Sequence, residues 1–170
     1  MYVSPTSYLR LFINMMLLYN YWPEVIGFYP VWPTSSLEGL FTMLKPSLST
    51  LVDIDIELSI PDGDDDRDDD PFPGLCHELE KMVGQNVVET IRLQVWVLDR
   101  VYDCTRCGEL DDVLMGSPEG WPALRKVCLS FHVSENSRDM SRRMKALRDL
   151  PMTKLVESKR VQFDFQAERF

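Results

Sequence analysis

Three stretches of the chain share one hydrophobic rhythm. They are Leu51-x-x-Ile54-x-Ile56-x-Leu58-x-Ile60, Val88-x-x-Ile91-x-Leu93-x-Val95-x-Val97 and Leu124-x-x-Val127-x-Leu129-x-Phe131-x-Val133. Their starts lie about 36 residues apart, a spacing typical of repeat architectures. A weaker copy, Val161-x-Phe163-x-Phe165-x-Ala167, follows with Ser158 in the leading apolar place. Apolar residues at every second position predict strands with one buried face.

A helical pattern precedes each strand. Leu37, Leu40, Phe41 and Leu44 share one helical face, and Ser35-x-x-Glu38 ahead of them reads as a capping box. Leu75, Leu79, Met82 and Val83 form the next face, stopped by Gly84. Leu110, Val113 and Leu114 form a short third, ended by Gly116 and Pro118. Met140, Met144, Leu147 and Leu150 form a fourth, ended by Pro151. Helices alternating with strands predict parallel pairing through crossovers. One such unit cannot bury its own apolar face, whereas stacked units can. The expected fold class is therefore α/β: an irregular solenoid of about four helix–strand units with a parallel sheet. A compact α/β sandwich of the same elements is the competing arrangement.

The L-x-x-L-x-L spacing resembles a leucine-rich repeat without the Asn that normally ends the strand turn. The stretch from Glu109 through Asp111, Asp112, Gly116, Pro118, Trp121 and Pro122 to Leu124 is similar to the C-terminal repeats of uncharacterised F-box proteins of mushroom-forming (basidiomycete) fungi. Lys159-Arg160-Val161-Gln162-Phe163-Asp164-Phe165 resembles their ending. The resemblance spans residues 35 to 167, and its motifs are structural rather than catalytic. It implies repeats that select a substrate for a ubiquitin ligase, tethered by an F-box helix bundle. No F-box is recognisable in residues 1–34.

Period two turns the residues between the buried positions outward. The first three strands then offer Asp55, Glu57 and Ser59; Arg92, Gln94 and Trp96; and Cys128, Ser130 and His132. The last offers Gln162, Asp164 and Gln166. The expected partner-binding residues are Asp55, Glu57, Arg92, Gln94, Trp96, Ser130, His132 and Asp164. Trp96 is either an interface anchor or buried under the N-terminal segment or the Cys104 loop.

The domain expectation is an apolar N-terminal segment, residues 1–34, and a repeat domain, residues 35–170, carrying an acidic insertion at 61–72. Leu11 to Pro23 holds no charge, but Pro23 and Glu24 cut it short of the roughly 20 residues a membrane span needs. A basic start and a small-residue cleavage site, the marks of a signal peptide, are missing. The segment reads as a buried first helix, an edge cap of the stack or the product of a displaced chain start.

The net charge of -9 disfavours nucleic acid, because phosphate repels a net anion. Much of the imbalance lies in the run from Asp62 to Asp70. A calcium loop counted from Asp62 would need Gly at the sixth place and Glu at the twelfth, where Arg67 and Pro73 stand. The run reads as a solvated insertion. Arg138, Arg142, Arg143, Lys145 and Arg148 lack interleaved aromatics and read as a solvated helix face.

Cys104-x-x-Cys107 is the sharpest chemical pattern. It could supply half of a tetrahedral zinc site, with Cys76, His77, Cys128 or His132 as the remaining ligands, or a thiol-redox pair. Two cysteines in a loop is the plainer reading. No metal site, cofactor or catalytic set is expected: Cys128, Ser130 and His132 alternate on one strand as an exposed sheet face would, and no phosphate-binding glycine loop occurs. Irregular cysteine spacing and the absence of an Asn-x-Ser/Thr sequon point to an intracellular protein, cytoplasmic or nuclear. The sequence thus predicts a non-enzymatic module that binds a protein, with neither nucleic acid nor membrane as partner, and leaves its oligomeric state open.

Overall fold

The computed structural model describes residues 8–11, 37–60, 72, 74–97, 107–117, 119–133, 144, 145, 147, 149 and 151–169. The chain is an α/β protein built on one parallel sheet. Its strands are β1 (Tyr8–Leu11), β2 (Asp53–Ile60), β3 (Thr90–Val97), β4 (Lys126–Val133) and β5 (Gln162–Arg169). They lie side by side in chain order, each paired in parallel with the next. The helices are α1 (Leu40–Leu44), continued by a 3₁₀ turn at Lys45–Ser47, then α2 (Leu75–Met82), α3 (Cys107–Met115) and α4 (Thr153–Glu157).

The register of β2, β3 and β4 is the one the repeat spacing predicts, whereas β5 is shifted by two residues, with Phe163 rather than Val161 level with Val127. Ile54, Ile91, Val127 and Phe163 stand opposite one another; so do Ile56, Leu93, Leu129 and Phe165, then Leu58, Val95, Phe131 and Ala167. These rows face the helices. Together with Leu40, Leu75, Leu79, Leu110, Leu114 and Leu155 they form one core. The leading apolar residues Leu51, Val88 and Leu124 are buried in it too. Burying such a side chain is worth about 1.5–3 kcal/mol, so the shared core is what holds the units together.

The backbone keeps step between units ahead of each strand. Val52 C=O accepts from the Glu89 and Thr90 amides, Glu89 C=O from those of Arg125 and Lys126, and Arg125 C=O from that of Gln162. Ser158, expected in the leading apolar place, lies two residues ahead of it in the observed register and has a different task. Its hydroxyl accepts from the Arg160 and Val161 amides at 3.2 and 3.0 Å and so closes the turn into β5.

Two buried carboxylates join helices of different units. Glu78 on α2 accepts the Phe41 amide of α1 at 2.7 Å. Asp111 on α3 accepts the Lys154 and Leu155 amides of α4 at 2.8 and 2.7 Å. Helix starts leave amides without intrahelical partners, and here a neighbour supplies the acceptor.

Several local expectations change. α1 starts at Leu40, after Gly39 in a left-handed conformation (φ 91°), with Glu38 in the preceding turn; Ser35, the other half of the expected capping box, lies outside the described residues. Glu78 does the capping from 37 residues away. Val83 is exposed rather than part of the α2 face, since the helix ends at Met82 and the chain extends there. Phe72, read as the end of the acidic insertion, is fully buried with its ring 6.4 Å from that of Phe131. The helix expected around Met144 and Leu147 has those two residues helical, and a further helix, α4, follows Pro151. Within the N-terminal segment, Tyr8–Leu11 forms an edge strand in register with Asp53–Ile56, the place an edge cap of the stack would take. The remainder of residues 1–34 and the run from Asp62 to Asp70 lie outside the described residues.

Candidate interaction face

A parallel sheet is usually apolar on both faces, because helices cover both. Here the alternation of side chains separates two chemistries: in β4 every second residue is buried and the others are half-buried. The face turned away from the core carries Asp53, Asp55 and Glu57 from β2, and Thr90, Arg92, Gln94 and Trp96 from β3. From β4 it carries Lys126, Cys128, Ser130 and His132.

In-step pairing arranges these as transverse rows. One row is Asp55, Arg92, Cys128 and Asp164; the next is Glu57, Gln94, Ser130 and Gln166. Trp96 and His132 belong to a third, with Glu168 beside them. All eight residues expected to bind a partner, Asp55, Glu57, Arg92, Gln94, Trp96, Ser130, His132 and Asp164, therefore fall on this one face. The row assignment of the last strand moves by one place. Gln162 stands level with Asp53, Thr90 and Lys126, and Glu168 completes the row of Trp96.

The expected set starts one alternation too late and so misses Asp53 and Lys126. Both continue the same period-two pattern toward the strand starts, which is the signal that would have found them. Lys126 Nζ lies 2.7 Å from a carboxylate oxygen of Asp164, and Arg92 Nη1 lies 3.5 Å from Asp53 Oδ1. Gln94 Nε2 donates to Asp55 Oδ1 at 3.5 Å, and Gln162 Nε2 donates to Asp164 at 3.0 and 3.2 Å. The bond to Asp164 raises the Lys126 pKa, and the bonds from Lys126 and Gln162 lower that of Asp164. Both groups stay charged at neutral pH. These are half-exposed ion pairs at the surface, which orient side chains more than they stabilise the fold.

Trp96 is half-buried, and its ring stacks on His132 with centroids 4.3 Å apart and planes 20° apart. Across two strands this makes one flat aromatic surface at the strand ends, beside the charged rows. Stacked rings lose little further freedom on binding, which suits an anchor.

Cys128 lies between Arg92 and Asp164 in its row. Burial pushes its thiol pKa up, and Asp164 and Asp55 push the same way, against Lys126 and Arg92. A thiol held protonated is a poor nucleophile. The chemistry this face offers is hydrogen bonding, charge pairing and ring stacking.

The cysteine pair has a different setting from the expected loop. Cys107 is the first residue of α3 and fully buried in the core, while Cys104 lies outside the described residues. His77 is on the exposed side of α2 near Glu80, whereas Cys128 and His132 are on the sheet's outer face. Among the described residues no group of three His, Cys, Asp or Glu side chains could hold a metal ion. No helix of the described residues is long and apolar enough to cross a membrane. Of the basic cluster, only Lys145 lies within the described residues, and it is exposed.

The elements and the face together define an α/β domain that presents one polar sheet surface. No family model, curated protein or solved structure matches the chain.

Proposed function

We propose that the chain is a protein-interaction module of irregular leucine-rich-repeat type, and that the polar sheet face is its recognition surface. One observation carries this reading: the outward residues of β2 to β5 form aligned rows of mixed charge beside the Trp96–His132 stack. Rows of that kind can be read by a partner laid across the strands, and the buried alternate residues keep them in place. A face with both charge signs matches a protein surface better than a polyanion, and the net charge of -9 acts in the same direction. Within an F-box protein, as the sequence resemblance implies, such a face would select the substrate of a ubiquitin ligase. The module needs no catalytic residue or cofactor for this.

The test places a photo-crosslinking residue at Ser130 on the face and, separately, at Glu80 on the helix side. Adducts with a partner protein are expected from Ser130 alone. Trp96→Ala should weaken that partner's binding by about 2 kcal/mol, the scale of an aromatic anchor, while the circular dichroism spectrum stays unchanged. Adducts formed only from Glu80 would move recognition to the helices and refute the assignment.

A further inference from the structure

β5 stands at one edge of the sheet. Among the described residues no strand lies beyond it. All its eight residues pair in step with β4, without a bulge, and none is proline. Natural edge strands are commonly short, bulged, covered or interrupted by proline, because an open edge templates pairing with another chain. Among the described residues β5 is not short, bulged, covered or broken by proline, and its charges are limited to Asp164 and Glu168 on the outer face and Arg169 at its last position.

Its open side can be read from one bond. The Gln162 amide donates to Arg125 C=O at 2.7 Å, so Gln162 points its backbone toward the β4 side. Successive residues alternate in this respect. Gln162, Asp164, Gln166 and Glu168 therefore face β4, while Phe163, Phe165, Ala167 and Arg169 direct their N–H and C=O groups to the open edge. The side chains of Phe163, Phe165 and Ala167 continue the core rows but are only half-buried, whereas their β4 neighbours Val127, Leu129 and Phe131 are buried. Val156, on the helix of the same terminal unit, is 68% exposed. Among the described residues an unpaired backbone edge and an uncovered apolar strip thus coincide.

We propose that β5 pairs antiparallel with β5 of a second copy, joining two sheets into one across a two-fold axis at Phe165. Charge and overlap select this register, since an axis at Phe163 or Ala167 pairs fewer residues of the strand. With Phe165 on the axis, Phe163 meets the partner copy's Ala167 and the two Phe165 rings meet each other. On the outer face Asp164 meets Gln166, and Gln162 meets Glu168. Large apolar groups then face small or aromatic ones, and no two like charges stand opposite. A shift that puts Gln166 on the axis sets Asp164 against Glu168 twice. A shift to Asp164 sets two Asp164 carboxylates together. The residues that face each other on the outer side are the closely spaced, non-hydrogen-bonded pairs of an antiparallel ladder, where charge matters most. An isologous two-fold contact is also the commonest closed symmetry.

The experiment is sedimentation velocity of the full chain over a concentration series. The expected result is a monomer–dimer equilibrium between 19.8 kDa and twice that mass. Gln166 is exposed, so its variants keep the fold. Gln166→Glu faces the partner copy's Asp164 twice and should weaken the dimer about fivefold, the sum of two cross-strand charge pairs. Gln166→Lys should tighten it by a similar factor. Ala167→Pro removes an edge donor without touching the β4 ladder and should abolish the dimer. A single 19.8 kDa species at every concentration, an assembly larger than a dimer, a dimer indifferent to these changes, or weakening by both charges at Gln166 would each overturn the proposal.

Discussion

Asp111 offers the sharpest test of how the units are joined. Its side chain is 3% exposed and accepts the amides of Lys154 and Leu155 at 2.8 and 2.7 Å. Asp111→Ala removes both acceptors and leaves the α4 start facing an apolar methyl. Replacing an ordinary N-cap costs about 0.5–2 kcal/mol, and hydrogen bonds to a charged group contribute about 1.5–3 kcal/mol. Partial rehydration of Lys154, which is exposed, recovers some of the loss, whereas Leu155 is buried and recovers little. The expected cost is about 3 kcal/mol. Asp111→Asn keeps one acceptor oxygen and should lose roughly half as much. Urea unfolding followed by circular dichroism gives the free energies, and amide hydrogen exchange locates them. Protection should fall first at Lys154, Leu155 and Val156. A loss below about 0.5 kcal/mol, or unchanged exchange at Leu155, would show that Asp111 is not what ties α3 to α4.

Other expectations follow from the same structure. Burial pushes the Glu78 pKa up, but the Lys81 ammonium and the Phe41 and Gly39 amides outweigh it and hold it below its ordinary value of 4.5. A carboxyl lowered in the folded state contributes stability above its unfolded pKa and loses it as pH falls through the folded value. Glu78→Gln should therefore flatten the acid side of the stability profile, read from urea midpoints across the acid range; parallel profiles would count against the assignment. Leu129→Ala, at the fully buried centre of the sheet, should cost about 2–5 kcal/mol in denaturant unfolding. Gly116→Ala would bring a Cβ to 2.3 Å from the Asp112 carbonyl oxygen, so about 1–3 kcal/mol of strain should appear as a lowered thermal midpoint.

The strands were legible because each carries its signal locally. Ile54, Ile56 and Leu58 alternate with charged residues, and the same phase returns in Ile91, Leu93 and Val95, so both the faces and the register follow from counting. The edge strand Tyr8–Leu11 was only partly legible: four residues show too little alternation to mark a strand, and the adjoining apolar run read equally as a helix or an edge cap. The α1 start was misplaced for another reason. Ser35 and Glu38 satisfy a local capping pattern, but the acceptor used is Glu78, and no local rule reaches 37 residues ahead. Asp111 escaped notice in the same way, as one of two adjacent acids on a helix; which of them is buried depends on where α4 packs. The outward residues of the candidate face came from alternation alone. Their pairing, such as Lys126 with Asp164, required the neighbouring strand to be in place.

The separation of buried and outward residues along β2, β3 and β4 also bears on how such a surface can change over generations. A substitution at Gln94, Ser130 or Gln166 alters what a visitor meets but leaves Leu93, Leu129 and Phe165 untouched. Novelty on one side and constancy on the other can then accumulate independently, one position at a time. The outer surface can then diversify while the scaffold beneath it stays the same.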